Sequence, residues 1–394
     1  MRDAIQIARI FGIPIRLHWS WFLVLGLLTW TLAAGYFSTE LPEGSGDHAW
    51  LYGLAAALLL FASVLLHELS HAVVARRADI PVSGITLHVF GGVAQLEREP
   101  ASPGAEFRMA AVGPLTSFAI AAACWAAVRI WTLPAGWDAL VMYLGSINLL
   151  VAAFNLVPGF PLDGGRLLRA ALWAWRRDLI WATRIASTAG TVFGFALIAW
   201  GAARLFGGEL VGGLWLMLIG MFLHQVASAS YAQLVARRSL GRVPVHEAMT
   251  REVIAVPADA TVAELVDRYF WPHHVASFPV VDGGGPGAAL VGVVTIGQVK
   301  GVPREEWPST RVADIMAALR DDLTIAPDAS SWEALGKLNR NGVGRLAVVE
   351  AGRLVGYLSV RDVTHLLVLE TAGGEGPVGR PAGPAPWRRL DRAA

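Results

Sequence analysis

His67-Glu68-Leu69-Ser70-His71 sets two imidazoles four residues apart with a carboxylate between them. On a helix that spacing is about one turn, so both imidazoles point the same way and can share one metal ion. A catalytic zinc takes three protein ligands, keeps one position for water, and works with a neighbouring carboxylate as general base. Glu68 fits that role. The same trio could instead be packing or a proton relay, yet ionisable groups in a membrane helix are costly and are kept chiefly for function. A third ligand is needed, and the segment Asn155-Leu156-Val157-Pro158-Gly159-Phe160-Pro161-Leu162-Asp163-Gly164-Gly165 offers Asp163. Its prolines and glycines break a helix, which at membrane depth is tolerated only where the break lines a cavity or is buried in protein. His71 lies five residues before Arg76, about 7.5 Å along a helix, and Asp163 lies three before Arg166, so the two depths agree. The competing reading of Asp163 is an N-cap for the segment from Arg166.

The elements that must carry these residues are membrane helices. Only 16% of the residues are Asp, Glu, Lys or Arg, against about a quarter in soluble proteins, and mean hydropathy is +0.49. An ordinary soluble enzyme is excluded. The net charge of +1 gives no reason to expect nucleic acid as a partner, and Cys124, alone, forms no internal disulfide. Charge-poor runs long enough to cross the bilayer cover residues 17–39, 50–75, 109–128, 139–162, 185–203 and 210–236. The first run lacks a cleavage site and reads as a retained span. Arg2, Arg9 and Arg16 precede it, Arg76 and Arg77 follow the second, and Arg237, Arg238 and Arg242 follow the sixth. Positive-inside counting then puts both termini in the cytoplasm, with Arg129 and Arg204 as exceptions.

With Phe90-Gly91-Gly92 after the first motif and Gly113-Pro114 opening the third span, residues 8–235 resemble the site-2 protease family of intramembrane zinc metalloproteases. The resemblance implies one Zn2+ held by His67, His71 and Asp163, with Glu68 as base and Asn155 holding the substrate carbonyl or its oxyanion. It also implies peptide-bond cleavage within a transmembrane helix of a regulatory protein, such as a membrane-bound transcription regulator or anti-sigma factor. His88 departs from the pattern, standing where an apolar residue is expected. Residues 85–96 read as two short strands around Gly91-Gly92, whose edge could pair with an unwound substrate. Gly91 and Gly92 would allow close backbone approach there, or simply form a hairpin turn.

The second half repeats itself. Val245-His246-Glu247-Ala248-Met249 recurs as Val312-Ala313-Asp314-Ile315-Met316, and Leu290-Val291-Gly292-Val293-Val294-Thr295 as Leu354-Val355-Gly356-Tyr357-Leu358-Ser359. A period this long means two small domains rather than a solenoid. Residues 245–370 resemble a tandem pair of CBS domains. The resemblance implies an adenine-nucleotide site (ATP, ADP or AMP) at Ser359 and Asp362; the first copy has Thr295 but Gln298 in the aspartate position. Asp362 could equally cap the last helix. Adjacent His273 and His274 read as a turn, because neighbours do not face each other.

The expected architecture is therefore a polytopic α-helical membrane domain (residues 1–238) with about six transmembrane helices and a short β-hairpin near the active site. A linker (239–244), a cytoplasmic α/β CBS pair (245–308 and 309–370) and a disordered tail (371–394) follow. The expected function is intramembrane zinc proteolysis, tuned by adenine nucleotide, in a cell membrane. A homodimer through the CBS domains is expected, and an arginine-rich, lysine-poor composition suits a bacterial source. The alternative is a CBS-gated transporter or channel using His67, Glu68 and Asp163 as an ion path.

Overall fold

The computed structural model describes residues 4–41, 46–88, 91–96, 98–283 and 289–372. The chain divides into two compact units, residues 1–232 and 233–394.

The first unit opens with a hairpin, β1 (Ala4–Ile10) and β2 (Ile13–His18), that the sequence reading did not expect. Leu17, taken there as the start of a span, belongs to β2, and the first helix, α1 (Ser20–Thr31), begins after it and continues through a π-helical turn, Leu32–Phe37. Arg9 and Arg16, read from the sequence as charges flanking a span, lie in the strand ladder, where Arg9 pairs with Pro14 and Arg16 with Gln6. Next come α2 (Gly46–Arg77), β3 (Val82–His88), β4 (Gly91–Leu96), α3 (Pro103–Ile130) and α4 (Ala135–Asn155). Then follow α5 (Asp163–Arg176), α6 (Leu179–Phe206) and α7 (Leu210–Leu240), whose residues from Gln233 onward fall in the second unit. Among the described residues, six helical stretches are long and apolar enough to cross a membrane: Ser20–Glu40, His48–Arg77, Pro103–Ile130, Gly136–Asn155, Leu179–Phe206 and Leu210–Leu240.

The run 139–162 is not one helix. α4 stops at Asn155, residues 156–162 are irregular, and α5 starts at Asp163. Two prolines account for the break, since each removes a backbone donor and disfavours helix in the residue before it. Helix starts follow local chemistry. Ser102 accepts from the Ala105 amide ahead of Pro103, and Asp178 accepts from the Ile180 and Trp181 amides at the head of α6.

The four strands form one sheet in the order β1-β2-β3-β4. β2 and β3 run parallel with Ile15 opposite Ile85, while β3 and β4 run antiparallel with Leu87 opposite Gly92. One face buries Ile13, Ile15, Leu17, Ile85 and Leu87 against Phe61, Leu69 and Ala72 of α2. Because Leu69 lies inside the His-Glu-x-x-His segment, the sheet packs directly on the turn that carries the motif.

The second unit is a seven-stranded mixed sheet. Its main path is β5 (Val256–Pro257), β6 (Ser277–Asp282), β7 (Ala289–Thr295), β11 (Arg353–Ser359), β10 (Arg345–Glu350) and β9 (Thr324–Ile325), with β8 (Ala317–Ala318) on β7. Two helices matter here, α8 (Ser331–Arg340) and α9 (Val360–Ala372). The two copies exchange their leading segments. The Val245 amide donates to the Ala329 carbonyl at 2.8 Å and Thr250 bridges Tyr357, whereas the Val312 amide donates to the Ala260 carbonyl at 2.9 Å. Met249 thus packs on Gly356 and Met316 on Gly292. Two apolar cores result, one around Leu338, Leu346 and Leu358 and one around Val262, Leu265 and Val294. Each fully buried aliphatic side chain contributes about 1.5–3 kcal/mol. His273 ends a short helix and His274 takes a left-handed conformation (φ 51°), which makes the pair a turn. α9 includes Thr371 and Ala372, the first two residues of the expected tail, and residues 373–394 lie outside the described residues.

Candidate metal centre

Three side chains from two distant parts of the chain converge inside the first unit. His67 Nε2 lies 3.2 Å from His71 Nε2, and each lies 3.1 Å from Asp163 Oδ2. Among the described residues this is the group whose donor atoms could share a metal ion, and His88, at the end of β3, is not part of it. All three are largely buried, His67 to 5% exposure.

The outward ring nitrogens fix how the imidazoles are used. A carbonyl can only accept, so His71 Nδ1 donates to the Met109 carbonyl at 2.6 Å and its Nε2 carries a lone pair inward. His67 Nδ1 lies 3.0 Å from Ser117 Oγ, which permits the same tautomer. Two lone pairs and a carboxylate oxygen then face one another at 3.1–3.2 Å, an arrangement that repels without a shared cation. Tetrahedral zinc with bonds near 2.0–2.1 Å spaces its ligand atoms about 3.3 Å apart, so the donor set fits that ion.

Asp163 is the first residue of α5, and the N-cap is Leu162, in extended conformation and without a side-chain cap. The capping alternative for Asp163 is therefore overturned. Its carboxylate points at the histidines instead of the helix's own amides. The preceding loop is wedged onto α6, where the Phe160 amide donates to the Ala186 carbonyl at 3.0 Å. Gly190 is what permits this approach, because a Cβ there would strike the Phe160 carbonyl oxygen.

Glu68 leans on β4. A Cβ at Gly92 would fall 2.5 Å from Glu68 Cγ, so the close approach at this glycine is by the glutamate side chain. Gly91 has φ +106° and open space around it. Asn155 ends α4 and is half-buried; no hydrogen bond links its amide to the three donors among the described residues. Phe90 lies outside the described residues.

Sequence reasoning missed the α3 contributions. Met109 acts through a backbone carbonyl, which no residue type advertises, and Ser117 is one polar residue in an apolar helix. Gly113 touches both imidazoles, since a Cβ there would meet His71 Nε2 and come within 2.6 Å of His67 Nε2. The buried pair of Glu106 and Arg169 was also missed. The available signal was Glu106 as the single acid of α3, facing a helix with three arginines, Arg166, Arg169 and Arg176.

In the second unit, Ser359 and Asp362 form a reciprocal cap on α9. The Ser359 amide and hydroxyl donate to Asp362 Oδ2 at 2.8 and 2.7 Å, and the Asp362 amide donates to Ser359 Oγ at 3.3 Å. Thr295 and Gln298 repeat the arrangement in the first copy. The capping alternative thus holds for Asp362. Beside it runs a groove of about 640 Å3 that includes Glu247, Arg361, Asp362 and His365.

Six apolar helices among the described residues, together with a buried His-His-Asp group and an adjoining glutamate, define a membrane metalloprotease. The chain belongs to peptidase family M50, the site-2 protease type: that family's pattern matches residues 55–133 and 128–199, and the CBS domain pattern matches 241–303 and 312–369. It is 37% identical over 376 residues to Rip3 of Mycobacterium tuberculosis, provisionally named a zinc metalloprotease, with 93% of each chain covered. It is 33% identical to the similarly named sll0528 of Synechocystis, covering 94% of this chain and 97% of that one. The solved site-2 protease from Methanocaldococcus jannaschii is 29% identical, with 58% of this chain and 95% of that chain covered and a TM-score of 0.42. The protein is a multi-pass membrane zinc metalloprotease, and the ion-path reading of His67, Glu68 and Asp163 is set aside.

Proposed function

We propose that His67, His71 and Asp163 hold one Zn2+ and that Glu68 is the general base of an intramembrane endopeptidase. The convergence of three inward-facing donor atoms at 3.1–3.2 Å carries this reading. Zinc bound there supplies Lewis acidity toward water and the scissile carbonyl. Glu68 takes the proton of the attacking water and returns it to the departing amine. Asn155 steadies the substrate carbonyl or its oxyanion.

The substrate is a transmembrane helix of a regulatory membrane protein, such as a membrane-bound transcription regulator or anti-sigma factor. A helix hides its carbonyls and must unwind before attack. β4 is the terminal strand of its sheet and touches Glu68 through Gly92, which supports strand addition of an unwound segment beside the base. Gly91 and Gly92 keep that edge free of side chains. Both termini face the cytoplasm of a bacterial cell. The CBS pair binds an adenine nucleotide at Ser359 and Asp362, tunes proteolysis and pairs two chains. Nucleotide recruits the Asp362 oxygen left over from the cap, since only Oδ2 is engaged there.

The test is proteolysis of a model transmembrane substrate in detergent or vesicles by the full chain. Wild type cleaves within the apolar segment, and Glu68→Gln retains zinc without cleaving. Cleavage by Glu68→Gln at the wild-type rate would overturn the assignment of the base.

A further inference from the structure

Glu106 is fully buried in the first turns of α3, and Arg169, only 7% exposed, faces it from α5. Arg169 Nε donates to Glu106 Oε1 at 2.5 Å and its Nη2 reaches the same oxygen. Nη2 also meets Glu99 Oε2 at 3.1 Å, and the guanidinium lies 5.1 Å from the centre of the Phe160 ring. Glu106 Oε2 finds no hydrogen-bond partner among the described residues, so the guanidinium supplies the hydrogen bonding to this buried carboxylate through its other oxygen. As a stabilising device this is poor, because burying an ion pair costs about as much as it returns and an apolar pair of equal volume does as well or better.

Its position suggests what it does. On α3, Glu106, Met109, Gly113 and Ser117 follow at spacings of three and four residues and so share one face. Met109 orients His71, Gly113 lies against both imidazoles, and Ser117 orients His67. On α5, Arg169 follows Asp163 by six residues, and Phe160 under the guanidinium belongs to the loop that leads into Asp163. The ion pair therefore joins the helix that orients both histidines to the helix that supplies the carboxylate.

We propose that Glu106 and Arg169 are positioning residues, which fix the axial register of α3 against α5 so that His67, His71 and Asp163 converge on one ion. This rests on the metal-site reading above. A directional pair, with two guanidinium nitrogens converging on one buried carboxylate oxygen, specifies one register where apolar side chains would allow the helices to slide.

The test uses the full chain in detergent, stripped of metal and titrated with Zn2+ against a chromophoric chelator, with the visible absorption of Co2+ at the site as a second readout. Glu106→Gln/Arg169→Gln removes both charges while keeping size, and Glu106→Asp keeps the pair but shortens one arm. Both variants are expected to lose about tenfold or more in zinc affinity and to shift the Co2+ bands, whereas a merely structural pair would lower the melting temperature of the metal-free chain and leave both readouts alone. Should the double variant fail to fold, Glu106→Asp decides. Folded variants with zinc affinity within about twofold of wild type and unchanged Co2+ bands overturn the proposal. If wild type itself takes no zinc, the metal-site reading falls; if wild type and variants bind alike, only this inference falls.

Discussion

His67 Nε2 and Asp163 Oδ2 lie 3.1 Å apart, although 96 residues separate them in the chain. Their meeting depends on a helix break placed opposite an uninterrupted helix, with α3 between them supplying the groups that turn each ring. Perturbations at each of these supports have distinct expected effects.

Glu68→Gln keeps the shape of the side chain and removes its basicity. Proteolysis is expected to fall by about 10²- to 10⁴-fold, the range for losing a general base, with zinc content unchanged. Parallel elemental analysis and cleavage assays separate the two effects.

Gly92→Val places branched carbons where Glu68 Cγ now lies. Zinc should remain, because Gly92 touches none of the three donor residues, while cleavage is lost through displacement of the base and obstruction of the β4 edge. Wild-type turnover by this variant would remove β4 from the substrate path.

Gly190→Val drives a side chain into the Phe160 carbonyl, at an overpacking cost of about 1–3 kcal/mol. Since the loop at Phe160 leads straight into Asp163, zinc affinity should fall together with thermal stability. Calorimetry and zinc titration on the same preparation check this.

Asp362→Ala removes the carboxylate half of the reciprocal cap on α9 and is expected to cost about 1 kcal/mol. It should also abolish any shift in melting temperature that ATP, ADP or AMP produces in the wild-type chain. Equal nucleotide shifts in both proteins would place the ligand away from Asp362.

Tyr357 is buried against Ser277 at the contact between the two CBS copies, at 3.3 Å between hydroxyls, and burial raises its phenol above the ordinary value. A raised pKa in the folded state means that stability from the neutral phenol is fully present below the unfolded value of about 10 and is lost as pH climbs through the folded value. Alkaline unfolding of the second unit should therefore shift to higher pH in Tyr357→Phe, as followed by circular dichroism.

The apolar runs, the His-Glu-x-x-His spacing and the proline-broken approach to Asp163 were legible because each is a local pattern with one dominant physical meaning. The β1–β2 hairpin was not, since Arg9 and Arg16 read equally well as flanking charges of a span. Met109 escaped because its contribution is a carbonyl, and the pairing of Glu106 with Arg169 because it spans 63 residues. The repeat revealed two CBS copies, but the exchange of Val245–Ala248 onto the second copy is a tertiary choice that both copies' sequences permit equally.

The central claim is tested most directly by the zinc content of the detergent-purified full chain, wild type beside His67→Ala and Asp163→Ala. The account predicts one zinc per wild-type chain and its loss in both variants. A folded wild type without zinc, or an Asp163→Ala chain that retains it in full, would contradict the account.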